Sequence, residues 1–412
     1  MRSEQELIEA ADWRDRSAAV GYLYGIICGA LISLGGLKAT PLLGWVPVDP
    51  LLVLLTGASL LLVAGYSRPT RWRPEVLSVF LLAWALLSSG IVFATTPRKL
   101  LFVFLFVPFL IYMGIRLAHM RLGVLGFLDG SIVMGGLSCL ALGAFPNETA
   151  GGAGLSALGG NPIDSTRALT FALLCLAIRA WIVRPKFAAL LVQGSLAAIL
   201  LWYGVQTGSR GPWLAFLVAI FLSAALSRHR IRILSAGLIT TMGLVTVWQL
   251  GARDAIRQLP LFNRVFDVSQ TDDITTGRGD IASVAIRGIW SNPLGIGWGS
   301  FGEYSRSYGL SSVEYAHNIV LEVAVESGIL GLVGFIMFVL AVYSFAWRSR
   351  GLDSGKVAGV ALTFWLVAAL FSSDFSGNRG VWLCAGLAIG SYIISRSTTS
   401  DNCWTKLKLR EY

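Results

Sequence analysis

The sequence predicts an all-α polytopic membrane protein of about 12 transmembrane helices, with one large, partly helical loop between spans 9 and 10. Three observations carry this. The chain is 55% hydrophobic and only 14% charged, where a soluble protein carries about 25% charge. Apolar stretches recur at lengths near the roughly 20 residues that cross about 30 Å of hydrocarbon. The basic residues gather between alternate stretches. The ten-residue polar–apolar alternation of an outer-membrane barrel is absent.

The elements follow in order. Residues 1–17 mix Glu4, Glu6, Glu9, Asp12 and Asp15 with Arg2, Arg14 and Arg16, so they make no basic signal region and read as an amphipathic cytoplasmic arm. Residues 18–250 hold nine expected spans, near 18–36, 50–66, 76–94, 98–118, 122–144, 167–183, 187–205, 212–226 and 231–250. Residues 251–316 form the large loop. Residues 317–395 hold the last three spans, near 327–347, 356–373 and 379–395, the first with a helical extension from residue 317. Residues 396–412 are a tail.

Of the 33 Lys and Arg, 21 fall on the segments that are cytoplasmic if the N-terminus is, against 6 on the short outer loops. That asymmetry places both termini inside. Arg68, Arg71 and Arg73, with Arg228, Arg230 and Arg232, are the clearest inside anchors, contacting lipid headgroups. The net charge of +10 therefore sets orientation and does not call for nucleic acid. The five cysteines are scattered and form no C-x-x-C pair, which argues against a disulfide framework or a zinc site. Gly21, Gly25 and Gly29 make a small-residue stripe on span one, suited to close helix packing.

Two outer segments exceed what a connection needs. Residues 145–166 are Gly-rich and expected to be flexible. The loop beginning at Gly251 mixes Arg, acidic residues and aromatics such as Phe262, Phe266, Trp290 and Trp298, a composition that can fold; long ordered loops are usually functional. Its "NPLGIGWG" is turn chemistry, since the strand–turn–helix context of a nucleotide fingerprint is missing. No Walker A sequence occurs, which argues against ATP-driven transport by this chain alone.

The polar residues of the outer face form a constellation. In "YAHNIVLEVAVESGILGL", Asn318, Glu322 and Glu326 are spaced i, i+4, i+8 and share one helix face, with His317 one position off it. Charges are costly in a bilayer, but this stretch precedes a self-sufficient span and can line a wet cavity. The plainer reading is that His317 and Asn318 cap the helix and the acids are solvated. Arg210, in "QTGSRGPWLAF", stands beside an expected helix N-terminus, where backbone N–H groups favour an anion. Arg278 stands between two glycines before a helix-like stretch. Arg264 and Arg287 add charge, and "SSDFSGNRG" brings Asp374 and Arg379 to the same side. Guanidinium groups recognise phosphate oxygens bidentately, and an imidazole of ordinary pKa near 6.5 can accept a proton. The outer face thus reads as a site for a phosphorylated molecule, with arginines stabilising a diphosphate leaving group. No metal cluster is evident in the sequence and no cofactor is implied.

"TGSRGPWLAF", "TGRGDI", "NPLGIGWGSF" and "HNIVLEVAVESGILGL", in this order around one large loop, resemble the O-antigen ligase and polymerase superfamily. The resemblance covers about residues 200–345. It implies lipopolysaccharide biosynthesis at the periplasmic face of the bacterial inner membrane, without metal and with inversion. A glycan would pass from undecaprenyl diphosphate to an acceptor, lipid A–core for a ligase or a second lipid-linked glycan for a polymerase. It further implies that Arg210 and Arg278 bind the diphosphate and that His317 activates the acceptor hydroxyl. Asn318 and Glu326 match motif positions with less defined roles. Arg264, Arg287, Glu322, Asp374 and Arg379 join the expected site by placement. Ligase is the favoured expectation, on compact length and a single dominant loop.

A transporter of lipid or polysaccharide is the rival expectation. It would need polar residues along a path through the bilayer, and the candidates are few: Asp129, Arg179 and Gln193. Arg179 can snorkel, and Asp129 reads better as a buried structural hydrogen-bonding group. His119 and His229, on cytoplasmic segments, are expected to do no chemistry.

Overall fold

The computed structural model describes residues 4–64, 73–120, 122–148, 154–226, 259–262, 278–310, 313–372, 374–375 and 377–408. In chain order its helices are α1 (Glu4–Ser33), α2 (Pro41–Gly44), α3 (Pro50–Ala64), α4 (Pro74–Leu87), α5 (Pro97–Leu101), α6 (Val107–His119), α7 (Gly123–Ala144) and α8 (Pro162–Val183). There follow α9 (Phe187–Gln206), α10 (Arg210–Leu226), α11 (Arg278–Ser291), α12 (Phe301–Arg306), α13 (Ile319–Arg348), α14 (Asp353–Ala369) and α15 (Arg379–Lys408). A π-helical turn, Phe102–Phe106, joins α5 to α6.

Among the described residues, seven helical stretches are long and apolar enough to cross a membrane: Ser17–Gly36, Pro74–Ile91, Pro97–His119, Gly123–Ala144, Pro162–Val183, Phe187–Gln206 and Ile319–Arg348. Pro50–Ala64 and Arg210–Ser223 are shorter apolar helices. The expected span at 231–250 and the loop residues 251–258, 263–277 and 311–312 lie outside the described residues, while α14 and α15 stand where the last two spans are expected. The chain divides into two compact units that interleave in sequence, one of residues 1–66 and 120–274, the other of residues 67–119 and 275–412.

In the first unit α1, α7 and α8 pack closely. Gly25 and Gly29 of the small-residue stripe face the backbone of Gly123, Phe127 and Ser131, where any Cβ would collide. Lipid tails are as apolar as leucine, so close backbone approach is what joins such helices. Asp129, the acid inside α7, accepts a hydrogen bond from the Tyr22 hydroxyl (2.7 Å) and pairs with the Arg179 guanidinium. Three helices are thereby tied at one point, and the carboxylate is compensated as an intramembrane charge must be. In the Gly-rich segment after α7, β1 (Pro146–Glu148) pairs antiparallel with β2 (Leu155–Ala157), and residues 149–153 between them lie outside the described residues. Ser156 and Ala157 are buried, so side-chain burial on β2 supplies what the composition did not suggest.

The second unit is built around α13. Helix α4 runs antiparallel to it: Leu86 packs over Gly334, and the Ser89 hydroxyl donates to the Ser327 carbonyl (2.5 Å). Helices α6 and α15 cross at Gly114, Gly386 and Gly390, again without room for a Cβ. A cluster of Trp84, Phe335, Phe338, Phe375 and Trp382 joins α4, α13 and the start of α15 through ring contacts of 4.5–6.4 Å.

Helix α13 is interrupted at Gly328, whose φ of 70° and ψ of −171° are non-helical. The segment "NPLGIGWG" fills the break. Ile296 N–H donates to the Val325 carbonyl and Gly297 N–H to the Glu326 carbonyl, while Ile329 N–H donates to the Pro293 carbonyl, each at 2.9 Å. Backbone groups orphaned by a broken helix need partners, and this loop supplies them. It can lie so close because Gly295 and Gly297 adopt φ of 91° and 99° with no side chain to clash. Residues 329–348 then continue as uninterrupted helix, matching the stretch expected to span alone.

Candidate active site

The N-terminal piece of α13 carries the polar face read from the sequence. Asn318 is extended (φ −148°, ψ 120°), and its side-chain oxygen accepts from the N–H groups of Val320 (2.9 Å) and Leu321 (3.2 Å). That is an N-cap. Its amide nitrogen also donates to the Leu370 carbonyl (3.0 Å), pinning the cap to the end of α14.

His317, just before the cap, has φ of 53°. A left-handed histidine is uncommon, and such conformations cost free energy and collect at functional sites. The turn lays the imidazole against Tyr315, with ring centroids 4.3 Å apart. Its Nδ1 is buried with no hydrogen-bond partner among the described residues. Burial, and then the positive charge of Arg278, push the His317 pKa below its ordinary 6.5. Arg278 opens α11 and lies within electrostatic range of both His317 and Tyr315. The structure thus brings together Arg278, Tyr315 and His317.

Glu322 and Glu326 share a face as their spacing required, but that face is enclosed: they are 0% and 1% exposed. The expectation of acids along a wet surface needs correction for Glu322, and the reason is Lys99. The Lys99 ammonium lies 2.5 Å from Glu322 Oε1 and 2.9 Å from Asp374 Oδ2. Glu322 Oε2 accepts from Phe375 N–H (2.8 Å), and Asp374 Oδ1 from Gly377 N–H (2.7 Å). A carboxylate can be enclosed when a cation and further donors satisfy it. Glu326 accepts a long hydrogen bond from Phe301 N–H (3.4 Å) through Oε1; its Oε2 is buried and has no hydrogen-bond partner among the described residues.

Beside these groups opens a cavity of about 660 Å³, lined by Lys99, Glu326, Asp374 and Tyr315 together with Thr95, Thr96, Glu303, Arg306 and Glu314.

The other expected site residues fall as follows. Arg379 heads α15 and is half-buried. Arg287 is exposed on α11, near the phenol of Tyr304. Arg210 is exposed at the start of α10, in the first unit. Arg264 lies outside the described residues. Sequence reasoning missed Lys99 and Tyr315. The signal for Lys99 was present, since Arg98 and Lys99 stand at the outer end of the span expected near 98–118, on the side where basic residues are disfavoured.

The chain is a multi-pass helical membrane protein whose second unit holds a cavity lined by a caged lysine and by Tyr315, whose ring lies against the His317 imidazole. Residues 195–336 match the family model described as O-Antigen ligase, which supports the O-antigen ligase and polymerase superfamily read from the motifs. The matched span contains Arg210, Arg264, Arg278, Arg287, His317, Asn318, Glu322 and Glu326, and excludes Lys99, Asp374 and Arg379. No curated protein matches the chain.

Proposed function

We propose that the chain is a glycosyltransferase of the bacterial inner membrane, an O-antigen ligase. It moves a glycan from undecaprenyl diphosphate to a sugar hydroxyl of lipid A–core at the periplasmic face, with both termini in the cytoplasm and residues 251–316 forming the periplasmic loop. His317 accepts the proton of the acceptor hydroxyl. That oxygen attacks the anomeric carbon as the bond from that carbon to the diphosphate oxygen breaks, which inverts the configuration. Arg278, with Arg210 and Arg264, stabilises the negative charge that develops on the departing undecaprenyl diphosphate. Arg287 and Arg379 extend the positive field, Asn318 holds the turn that presents His317, Glu322 and Asp374 hold Lys99, and Glu326 supports the site from the cavity wall. No step calls for a metal or cofactor.

The observation that carries this reading is the grouping of Arg278, Tyr315 and a left-handed His317 whose pKa is pushed down. A general base must be neutral to accept a proton, and the depression keeps this one neutral at neutral pH. The test is reconstitution in liposomes with an undecaprenyl-diphosphate glycan, offering lipid A–core and a second lipid-linked glycan in separate reactions. Transfer to lipid A–core, lost in His317→Ala at normal protein level, is expected. Elongation of the second glycan alone would make the enzyme a polymerase, and undiminished transfer by His317→Ala would remove the base.

A further inference from the structure

The cavity of the second unit has a chemistry of its own. Its formal charges are uneven: Glu303, Glu314, Glu326 and Asp374 face Lys99 and Arg306. The lysine is already engaged, since Glu322 and Asp374 hold its ammonium. Arg306 is exposed and donates through Nε to the Gly302 carbonyl (2.9 Å). Glu303 and Glu314 are exposed at the cavity and form no ion pair among the described residues. Their charges act on whatever enters.

A set of acidic side chains alone would say little. The second observation is Glu326. It is 1% exposed, it lines the cavity, and its Oε2 has no hydrogen-bond partner among the described residues. A buried acceptor left unmade is costly, and an ionised carboxylate oxygen only accepts, so what meets it must carry an O–H or N–H donor. Thr95 and Thr96 add hydroxyls to the wall, and Tyr315 adds a ring that also touches His317. No three of His, Cys, Asp and Glu among the described residues come together to hold a metal ion. A hydroxyl-rich ligand fits the open Glu326 acceptor and the threonine-bearing wall, the surplus of carboxylates disfavours anions, and the cavity of about 660 Å³ has room for a sugar.

We infer that this cavity receives the acceptor sugar and selects it by charge, admitting sugars without anionic substituents and repelling phosphorylated or carboxylated ones. The inference rests on the glycosyltransferase reading for the word acceptor; the charge selection rests on the cavity alone. Glu326 takes a hydroxyl hydrogen bond at the base of the cavity, and Glu303 and Glu314 set the sign of the field at its mouth. Tyr315 bridges the cavity to His317, so a sugar held here has a hydroxyl close to the proposed base.

The test is ligand-observed NMR on the full chain in nanodiscs, with methyl glucoside, glucose 6-phosphate and methyl glucuronide as probes and empty nanodiscs as the blank. Methyl glucoside should bind better than either anionic probe by on the order of tenfold or more, as like-charge juxtaposition demands. Glu303→Gln combined with Glu314→Gln should narrow that ratio several-fold while leaving methyl glucoside binding in place. Both positions are exposed, so the fold should tolerate the change. Glu326→Gln should weaken methyl glucoside. Equal binding of neutral and anionic probes, a ratio unmoved by the double variant, or no sugar binding by a chain that transfers glycan would each overturn the inference. Charge-selective binding by a chain that transfers nothing would leave the cavity assignment standing and defeat the glycosyltransferase reading.

Discussion

Replacing Gly328 with alanine tests how much of the second unit depends on one broken helix. The cost has two parts. The backbone at φ 70°, ψ −171° belongs to a region that only glycine populates readily, and forcing another residue into it costs of order 1–3 kcal/mol. An added Cβ would also lie 2.4 Å from the Leu294 carbonyl carbon and 2.5 Å from the Pro293 oxygen, both backbone atoms that cannot swing aside. Relieving that clash moves the loop off the break and releases the three 2.9 Å hydrogen bonds of Ile296, Gly297 and Ile329, each worth about 0.5–1.5 kcal/mol. The total expected loss is about 2.5–7.5 kcal/mol. Gly309 provides the control: its φ is 85°, yet a Cβ there meets nothing within 4 Å. Gly309→Ala should therefore show only the left-handed penalty, about 1–2 kcal/mol. Gly136, on α7 with open space around it, should accept alanine with no loss. Thermal unfolding of the three variants in one detergent ranks them. A Gly328→Ala protein that melts with or above Gly309→Ala would refute the claim that the loop and the helix break fold as one piece.

Three other outcomes follow from the site. Protonation removes the proposed base, so the transfer rate should be flat above pH 6.5 and fall as pH drops through the depressed His317 pKa. Arg278→Gln removes a positive charge that helps hold that pKa down, so its acid limb should move to higher pH, whereas Arg278→Lys should leave the limb in place; initial rates across about pH 4.5–8 decide this. Asn318→Ala should cost about 1–2 kcal/mol through the lost cap, read as a lower melting temperature, with Asn318→Asp recovering most of it because the capping oxygen remains. Lys99→Met should cost about 3–5 kcal/mol, because it strands the enclosed Glu322 carboxylate. Adding Glu322→Gln should return part of that stability, and a double variant as unstable as Lys99→Met would count against the ion cage.

What could be read from the sequence was what local pattern decides. Apolar runs locate most helices, and the spacing of Asn318, Glu322 and Glu326 put them on one face before any coordinates. Asn318 serves as the cap that the plainer reading allowed. The partner of Glu322 was not legible, because Lys99 is 223 residues away and the pairing exists only once α5 and α13 are packed. Gly328 looked like one more small residue in an apolar helix; its backbone angles depend on a loop more than thirty residues earlier. The pairing of β1 with β2 was hidden by glycine content, since burial of Ser156 and Ala157 is a tertiary event. Tyr315 drew no notice because an aromatic beside a histidine has no periodic signature.

The π turn at Phe102–Phe106 bears on how Lys99 comes to face Glu322. A turn of this kind holds about one residue more than an α turn, and each α-helical residue accounts for about 100° of rotation. The direction in which α5 points its side chains is therefore offset by roughly that angle from what α6 alone would dictate. Helix α6 is locked to α15 at Gly114, so its own azimuth is not adjustable. Shortening the widened turn by one residue would keep that crossing and swing the Lys99 ammonium about a quarter-circle away from the carboxylates. One surplus residue lets a single membrane helix meet two unrelated demands, tight packing along most of its length and an aimed cation at its tip.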